Sequence, residues 1–174
     1  MIAHRFIAFV LTSLCLTATA QTTVEEVRKQ WPDLRYLDPG QIRELPAAVR
    51  SDLEKLNCRI PKFLKWDARH NVIQGQFFKA GQRDWAVLCE TRDKSGILLY
   101  PGGAATDLPM LYPQPINPAR TIHTISMFVL QKRAIRDHPE AAPPSIEHDG
   151  IEDGPIQQPG RVLYFQNDEW TELN

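Results

Sequence analysis

A short segment near the end of the chain holds the densest group of side chains that could do chemistry. Four of its residues could bind a metal ion or a carbohydrate: His148, Asp149, Glu152 and Asp153. Their spacing does not match a calcium-binding EF-hand loop, which needs oxygen ligands at alternating positions and a distal glutamate. A solvated acidic loop is the simpler interpretation. The sequence therefore predicts no metal and no other cofactor, and it leaves these four residues as weak metal candidates.

Signatures of catalysis are missing from the sequence. No serine lies between glycines as in a nucleophile elbow, and no glycine-rich phosphate-binding loop is present. No two histidines have the helical spacing, with an intervening glutamate, that zinc hydrolases use. Glycoside hydrolysis needs two carboxyl groups at a fixed separation, which a linear sequence cannot place. The candidates for such a pair are Asp84, Glu90, Asp149 and Glu152. We therefore predict no catalytic residue.

The first 20 residues have the pattern of a secretory leader. Arg5 precedes an apolar run, and Ala18 and Ala20 are the small residues that a signal peptidase requires. We expect residues 1–20 to be removed and residues 21–174 to form a single extracytoplasmic domain, periplasmic or secreted, with no membrane span. The leader takes one of the 20 basic residues and none of the 21 acidic ones. This balance gives no electrostatic reason to expect nucleic acid or an anionic membrane as partner.

Two cysteines remain outside the leader, Cys58 and Cys89. In an oxidising compartment such a pair most simply forms one disulfide. In the chain-entropy model, closing a loop of this length stabilises the fold by about 3–4 kcal/mol. The alternative is two buried free thiols. The absence of a CxxC motif argues against both a thioredoxin-like site and a structural zinc site.

The apolar pattern predicts helices first and strands later. One helix is expected over residues 22–31 and a second over residues 46–56, where Val49 and Leu53 lie on one apolar face. From residue 71 the pattern becomes the alternation typical of strands. A three-stranded antiparallel meander is predicted, and its middle strand, residues 85–89, is apolar on both faces and therefore central.

Long proline-containing stretches separate the remaining predicted strands. Residues 101–118 and 132–160 are expected to be irregular loops. Residues 122–131 alternate as a strand does, and residues 162–173 form a terminal hairpin around a polar turn. The predicted fold class is α+β, with two N-terminal helices packed on a mostly antiparallel sheet made of the meander and the C-terminal hairpin.

The first turn of the meander carries a recognisable motif. The matching positions, in order, are Gly75, Phe77, Gly81, Asp84, Ala86 and Val87. In this respect residues 75–100 resemble a single, degenerate FG-GAP or VCBS-type repeat within a small exported bacterial protein. The family holds calcium with oxygen-bearing side chains in the turn, whereas this chain has Gln76, Phe78 and Ala80 there. The resemblance therefore implies a hairpin capped by Asp84, without calcium.

The function expected from these features is binding rather than catalysis. We expect a non-enzymatic exported or envelope-associated domain with an unknown macromolecular partner, and Trp66 is the best candidate for a partly exposed binding residue. The alternative is a small periplasmic hydrolase or an enzyme inhibitor. A pocket that joins Asp84, His148 and Asp149 would favour the enzyme, and a flat aromatic patch near Trp66 would favour binding.

Overall fold

Ten strands in three antiparallel sheets and two α-helices make up the regular structure of the computed structural model, which describes residues 29–65, 70–137 and 145–173. The predicted leader, residues 1–20, lies outside the described residues, as does most of the predicted first helix. Trp66 also lies outside them.

The strands follow one another along the chain with few interruptions. They are β1 (Leu34–Leu37), β2 (Ile60–Phe63), β3 (Val72–Gly75), β4 (Asp84–Glu90), β5 (Ser95–Tyr100), β6 (Leu111–Gln114), β7 (Arg120–Ile125), β8 (Gly150–Pro155), β9 (Arg161–Gln166) and β10 (Glu169–Leu173). The described helices are α1 (Ala47–Lys55) and α2 (Met127–Asp137). The first sheet pairs β1 with β2, the second has the order β3-β4-β5-β6, and the third has the order β7-β8-β9-β10.

The elements stack in layers, and three apolar clusters separate the layers. Helix α1 and the first sheet pack on one face of the second sheet, where Val49 and Leu53 meet Val87. The other face of the second sheet packs on the third sheet, where Leu88 meets Ile122. On the far face of the third sheet, Leu130 of helix α2 packs with Val162 and Tyr164. Because β4 and β5 lie between two layers, all of their residues are buried.

A disulfide joins Cys58, which follows helix α1, to Cys89 in β4, as the sequence predicts. Their Cα atoms are 5.4 Å apart. Arg59 and Glu90, the next residues on each side, exchange both backbone hydrogen bonds at 2.9 Å. The covalent bond and this backbone pair together fix the end of β4 against the layer of α1 and β2.

The predicted fold class is wrong in the placement of its helices. Of the two described helices, α1 agrees with the predicted second helix, but α2 lies in the C-terminal half of the chain. The strand predicted over residues 122–131 ends at Ile125, because Ser126 O accepts the first helical hydrogen bonds from the backbone N–H groups of Val129 and Leu130. The good helix formers of residues 130–134 then continue the helix.

The long irregular loops were also predicted wrongly. Strand β6 lies in the first, residues 101–118, and strand β8 lies in the second, residues 132–160. Strand β8 pairs along its whole length with β7, and its Ile151 enters the core between the sheets. The meander β3-β4-β5 and the terminal hairpin β9-β10 are confirmed. No helix among the described residues is both long and apolar enough to cross a membrane.

Candidate binding site

Asp84 holds the turn between β3 and β4. Its side chain is fully buried, and each carboxylate oxygen accepts two hydrogen bonds. Oδ2 accepts the backbone N–H groups of Phe77 and Phe78 at 2.8 and 3.0 Å. Oδ1 accepts the backbone N–H of Gly102 at 2.9 Å and the side-chain amide of Gln82 at 2.6 Å. Asp84 therefore caps the turn, as the sequence suggests, and is fully engaged in doing so.

Asp149 joins three segments at one point. Its Oδ2 accepts the backbone N–H of Gln76 at 2.9 Å, and its own N–H donates to Gln76 O at 3.0 Å. Its Oδ1 accepts the backbone N–H of Met127 at 3.0 Å and thereby satisfies a free donor at the start of helix α2. This residue, predicted as a weak metal candidate, instead connects the β3–β4 turn to the segment before β8.

A surface cavity of about 320 Å³ opens between the β3–β4 turn and Asp149. Its polar lining side chains are Gln74, Gln76, Gln82, Arg83 and Asp149. Three of the five are carboxamides, which both donate and accept hydrogen bonds. A lining of this kind suits an uncharged, polar ligand better than an ion.

In two of these glutamines, a hydrogen bond to the protein holds one half of the side-chain amide. Gln76 Oε1 accepts a hydrogen bond from the backbone N–H of Gly81. Gln82 Nε2 donates to Asp84. Among the described residues nothing pairs with the opposite halves, the Gln76 Nε2 group and the Gln82 Oε1 atom. The cavity thus presents one oriented donor and one oriented acceptor, on side chains that are already held in place.

His148 lies away from this cavity, with its side chain buried. Its ring stacks on Tyr164 with centroids 4.3 Å apart. Its two ring nitrogens each lie 2.9 Å from a backbone carbonyl oxygen, one of Asp149 and one of Phe165. Each ring nitrogen therefore already faces a backbone carbonyl. Neither nitrogen is therefore left for a ligand. The cavity beside Asp149 is lined by neither Asp84 nor His148, so it is not the pocket that would favour an enzyme.

Glu152 lies on the outer face of the third sheet, opposite His123 on β7. Both line a second cavity of about 180 Å³. Glu152 Oε1 accepts the backbone N–H of Gly160 at 3.4 Å and lies 3.8 Å from Arg133 Nη2. Within residues 29–65, 70–137 and 145–173, no group of three or more His, Cys, Asp or Glu side chains is arranged to hold a metal ion.

Asp153, the last weak metal candidate, belongs to a buried charge cluster formed with Arg120 and Arg161. Arg120 is 1% exposed and donates from Nε and Nη2 to the two carboxylate oxygens of Asp153, at 2.7 and 2.9 Å. Arg161 Nη2 donates to the same carboxylate at 2.8 Å and lies over the ring of Tyr112. The Nη1 group of Arg120 donates to Ser95 O and Oγ. This cluster closes one end of the interface between the second and third sheets.

Glu90 is buried near this cluster without comparable support. It is fully buried, and neither carboxylate oxygen has a hydrogen bond of acceptable geometry. Burial raises the pKa of Glu90 above its ordinary value, and the nearby Tyr36 hydroxyl, Arg59 and Arg120 only partly oppose that effect. Burial and the proximity of Glu90 also raise the pKa of Tyr36. The end of β4 therefore holds a carboxyl group whose charged form is destabilised by burial.

Sequence reasoning missed the parts of these sites that carry no signature. The sequence-based predictions name Gln76 only as a residue unsuited to calcium. They do not include Gln82, Arg120 or Arg161. Asp84 and Glu90, both candidates for a carboxylate pair, lie at opposite ends of β4. A lone arginine in a strand otherwise made of Thr, Ile and His was the one available signal for the charge cluster.

No family model, curated protein or solved structure matches the chain. The similarity of residues 75–100 to an FG-GAP repeat therefore depends on the motif residues alone.

Proposed function

We propose that this chain is an exported, non-enzymatic binding domain, and that its ligand is a carbohydrate bound at the cavity beside the β3–β4 turn. The observation that carries the proposal is the oriented amide pair, Gln76 and Gln82. A sugar hydroxyl both donates and accepts, so neighbouring hydroxyls can pair with the free Nε2 group of Gln76 and the free Oε1 atom of Gln82.

The rigidity of the turn supports this assignment. Asp84 fixes the backbone beneath both glutamines, and Asp149 fixes it from the opposite side. A site whose polar groups are already held loses little conformational entropy on binding. Arg83 and Gln74 add further donors at the rim of the cavity. An open, shallow cavity of this kind fits one or two units of a chain rather than an enclosed small molecule.

Export is the second part of the proposal. It is supported by the leader-like residues 1–20 and by the Cys58–Cys89 disulfide, because disulfides persist mainly in oxidising compartments. A carbohydrate ligand suits that location, since the polysaccharides of a bacterial envelope lie outside the cytoplasmic membrane. Fractionation of cells, followed by N-terminal sequencing of the native protein, tests this part, and a cytosolic protein that begins at Met1 would overturn it.

The ligand is tested with neutral oligosaccharides, chitotetraose and cellotetraose, titrated into the full chain by isothermal calorimetry. Gln76→Glu keeps the oxygen that accepts from Gly81 and removes only the donor. We expect this change to weaken binding about ten-fold, the worth of one hydrogen bond lost at a formed site. Gln158→Glu, an exposed change of the same charge at the second cavity, is the matched control and should bind as the wild type does.

Two results would contradict the ligand assignment. The first is no heat and no chemical-shift change with either oligosaccharide at millimolar concentration. The second is equal weakening by Gln76→Glu and Gln158→Glu, which would show that added negative charge, rather than the lost donor, is responsible. Equal melting temperatures for the three proteins would establish that the fold is intact in each.

A further inference from the structure

Helix α2 exposes apolar side chains that no other described residue buries. Three consecutive residues in its first turn are partly or largely exposed: Met127 at 38%, Phe128 at 61% and Val129 at 39%. Leu130, the next residue, is buried against Ile146. Because Leu130 fixes which side of the helix faces the third sheet, the side that carries Phe128 and Val129 must point outward.

The same outward side is basic. Lys132 lies one turn after Phe128, and its Nζ is 4.3 Å from the centre of the Phe128 ring. Arg136 lies one turn further and is also exposed. Residues 127–136 include no acidic residue. Arg133, on the flank of this face, lies 3.8 Å from Glu152. We call Phe128, Val129, Lys132 and Arg136 the outer face of α2.

We propose that the outer face of α2 docks on the surface of an anionic phospholipid bilayer. An exposed aromatic ring and aliphatic groups beside cations are the features of an interfacial helix, in which apolar groups enter the headgroup region while lysine and arginine remain at the phosphates. A soluble polyanion would use Lys132 and Arg136 but would leave Phe128 in water. The apolar side chains therefore favour a lipid surface over nucleic acid.

The near-neutral charge of the whole chain does not oppose this docking. Charge interactions fall off within about 8 Å at physiological ionic strength, so a bilayer responds to the face nearest to it rather than to the total. The carbohydrate cavity, which lies beyond the N-terminal end of α2, is a separate site. The proposal does not depend on the proposed function.

The test is co-sedimentation of the full chain with vesicles of two compositions. One set is made of equal parts phosphatidylglycerol and phosphatidylcholine, and the other of phosphatidylcholine alone. We expect binding to the anionic vesicles that weakens with added salt, and little binding to the neutral ones. Binding to neither set, or equal binding to both, would overturn the proposal.

Three variants make the test specific to the outer face. Phe128→Gln should weaken binding about ten-fold, because one large apolar side chain no longer enters the interface. Lys132→Gln should weaken binding about five-fold, the worth of one cation near an anionic surface. Glutamine is a good helix former, so both variants should keep the wild-type circular dichroism. Leu56→Gln, an equivalent change at an exposed leucine after helix α1, should have no effect.

Soluble duplex DNA provides the competing outcome. If the protein binds DNA as tightly as anionic vesicles, and Phe128→Gln leaves vesicle binding unchanged, the face is a general polyanion site and the bilayer proposal is wrong. Equal loss with Leu56→Gln would also overturn it. Gln76→Glu should bind vesicles as the wild type does, so failure of the carbohydrate proposal leaves this one separately testable.

Discussion

Each end of strand β4 holds a buried carboxyl group, and the two groups differ in their hydrogen bonding. Asp84, at the start of the strand, has four hydrogen-bond donors around two oxygens. Glu90, at its end, has none of acceptable geometry, although both side chains are fully buried. Burial depth alone therefore does not predict what a carboxylate contributes; the number of donors aimed at it does.

Because of this difference, Asp84 stabilises the fold, whereas the buried charge of Glu90 destabilises it. A buried charge costs several kcal/mol unless hydrogen bonds and opposite charges replace the lost water. The Asp84 carboxylate is compensated by three donors from its own turn and by the backbone N–H of Gly102. Glu90 depends on the more distant charges of Arg59 and Arg120 and responds by a raised pKa. The predictions below test each side of this comparison, in order of expected effect.

Replacing Asp84 with alanine should cause the largest loss of stability. The change takes the acceptor from the backbone N–H groups of Phe77, Phe78 and Gly102. Phe77 is fully buried and Phe78 is half-buried, and a buried donor left unsatisfied costs about 1–3 kcal/mol. We expect a loss of about 4 kcal/mol or more in urea unfolding. Asp93→Ala, in the exposed turn after β4, is the control and should change stability by less than about 0.5 kcal/mol. Similar losses for the two variants would refute the structural role of Asp84.

Removal of Arg120 should have the next largest effect, because this arginine serves both buried carboxylates near it. Arg120→Met takes two hydrogen bonds from Asp153 and the nearest buried cation from Glu90. We expect a loss of about 3 kcal/mol, the usual result of breaking one side of a buried ion pair. Arg161→Met removes a partner of the same carboxylate that is 29% exposed, and this change should cost about 1 kcal/mol. Equal losses would show that burial of the guanidinium does not matter.

Replacing Glu90 with glutamine should stabilise the protein at neutral pH. Because the folded pKa of Glu90 is raised above 4.5, the unfolded chain releases this proton first as the pH rises. The contribution of Glu90 to the free energy of unfolding is therefore largest below about pH 4.5. It falls as the pH rises, until the pH passes the folded pKa. Glu90→Gln removes that decline, so this variant should unfold at a higher urea concentration than the wild type at pH 7.

The control for this effect is Glu169→Gln, an exposed change in β10 that should leave the pH profile unaltered. Urea unfolding between pH 4 and pH 8 measures both variants. A Glu90→Gln protein that is less stable than the wild type at pH 7, with an unchanged pH profile, would mean that Glu90 is ionised and well compensated.

The sequence predicted the parts of the fold whose signals are local. The meander and the terminal hairpin follow from apolar alternation beside short turns, and the disulfide follows from two cysteines in a chain whose sequence predicts export. Strand β8 was missed because its buried Asp153 looks like a loop residue until Arg120, 33 positions earlier, is brought beside it. Helix α2 was missed because the alternation of apolar and polar residues continues through Phe128 and Leu130. Only tertiary packing shows that Leu130 is buried and Phe128 is not.

The candidate site was less predictable than the fold. The motif around Gly75 and Asp84 indicated a capped turn, and the structure contains one. Gln76 and Gln82 gave no signal, because the sequence does not show that one half of each amide is held by the protein. The orientation of His148 toward two carbonyl groups likewise depends on strand β9, which lies beyond its local sequence.

Calcium should produce the smallest effect, and the comparison between Asp84 and Glu90 explains why. Each oxygen of Asp84 already accepts two N–H groups, so no lone pair is directed at a cation, and the FG-GAP-like turn offers no other carboxylate. Glu90 has unpaired oxygens, but it lies buried beside arginines that repel a cation. Calcium needs six to eight oxygen ligands, and neither end of β4 can begin such a set. We therefore expect no change in melting temperature at millimolar calcium, with magnesium as the control for ionic strength; a rise with calcium alone would mean that Asp84 can exchange its backbone donors for the ion.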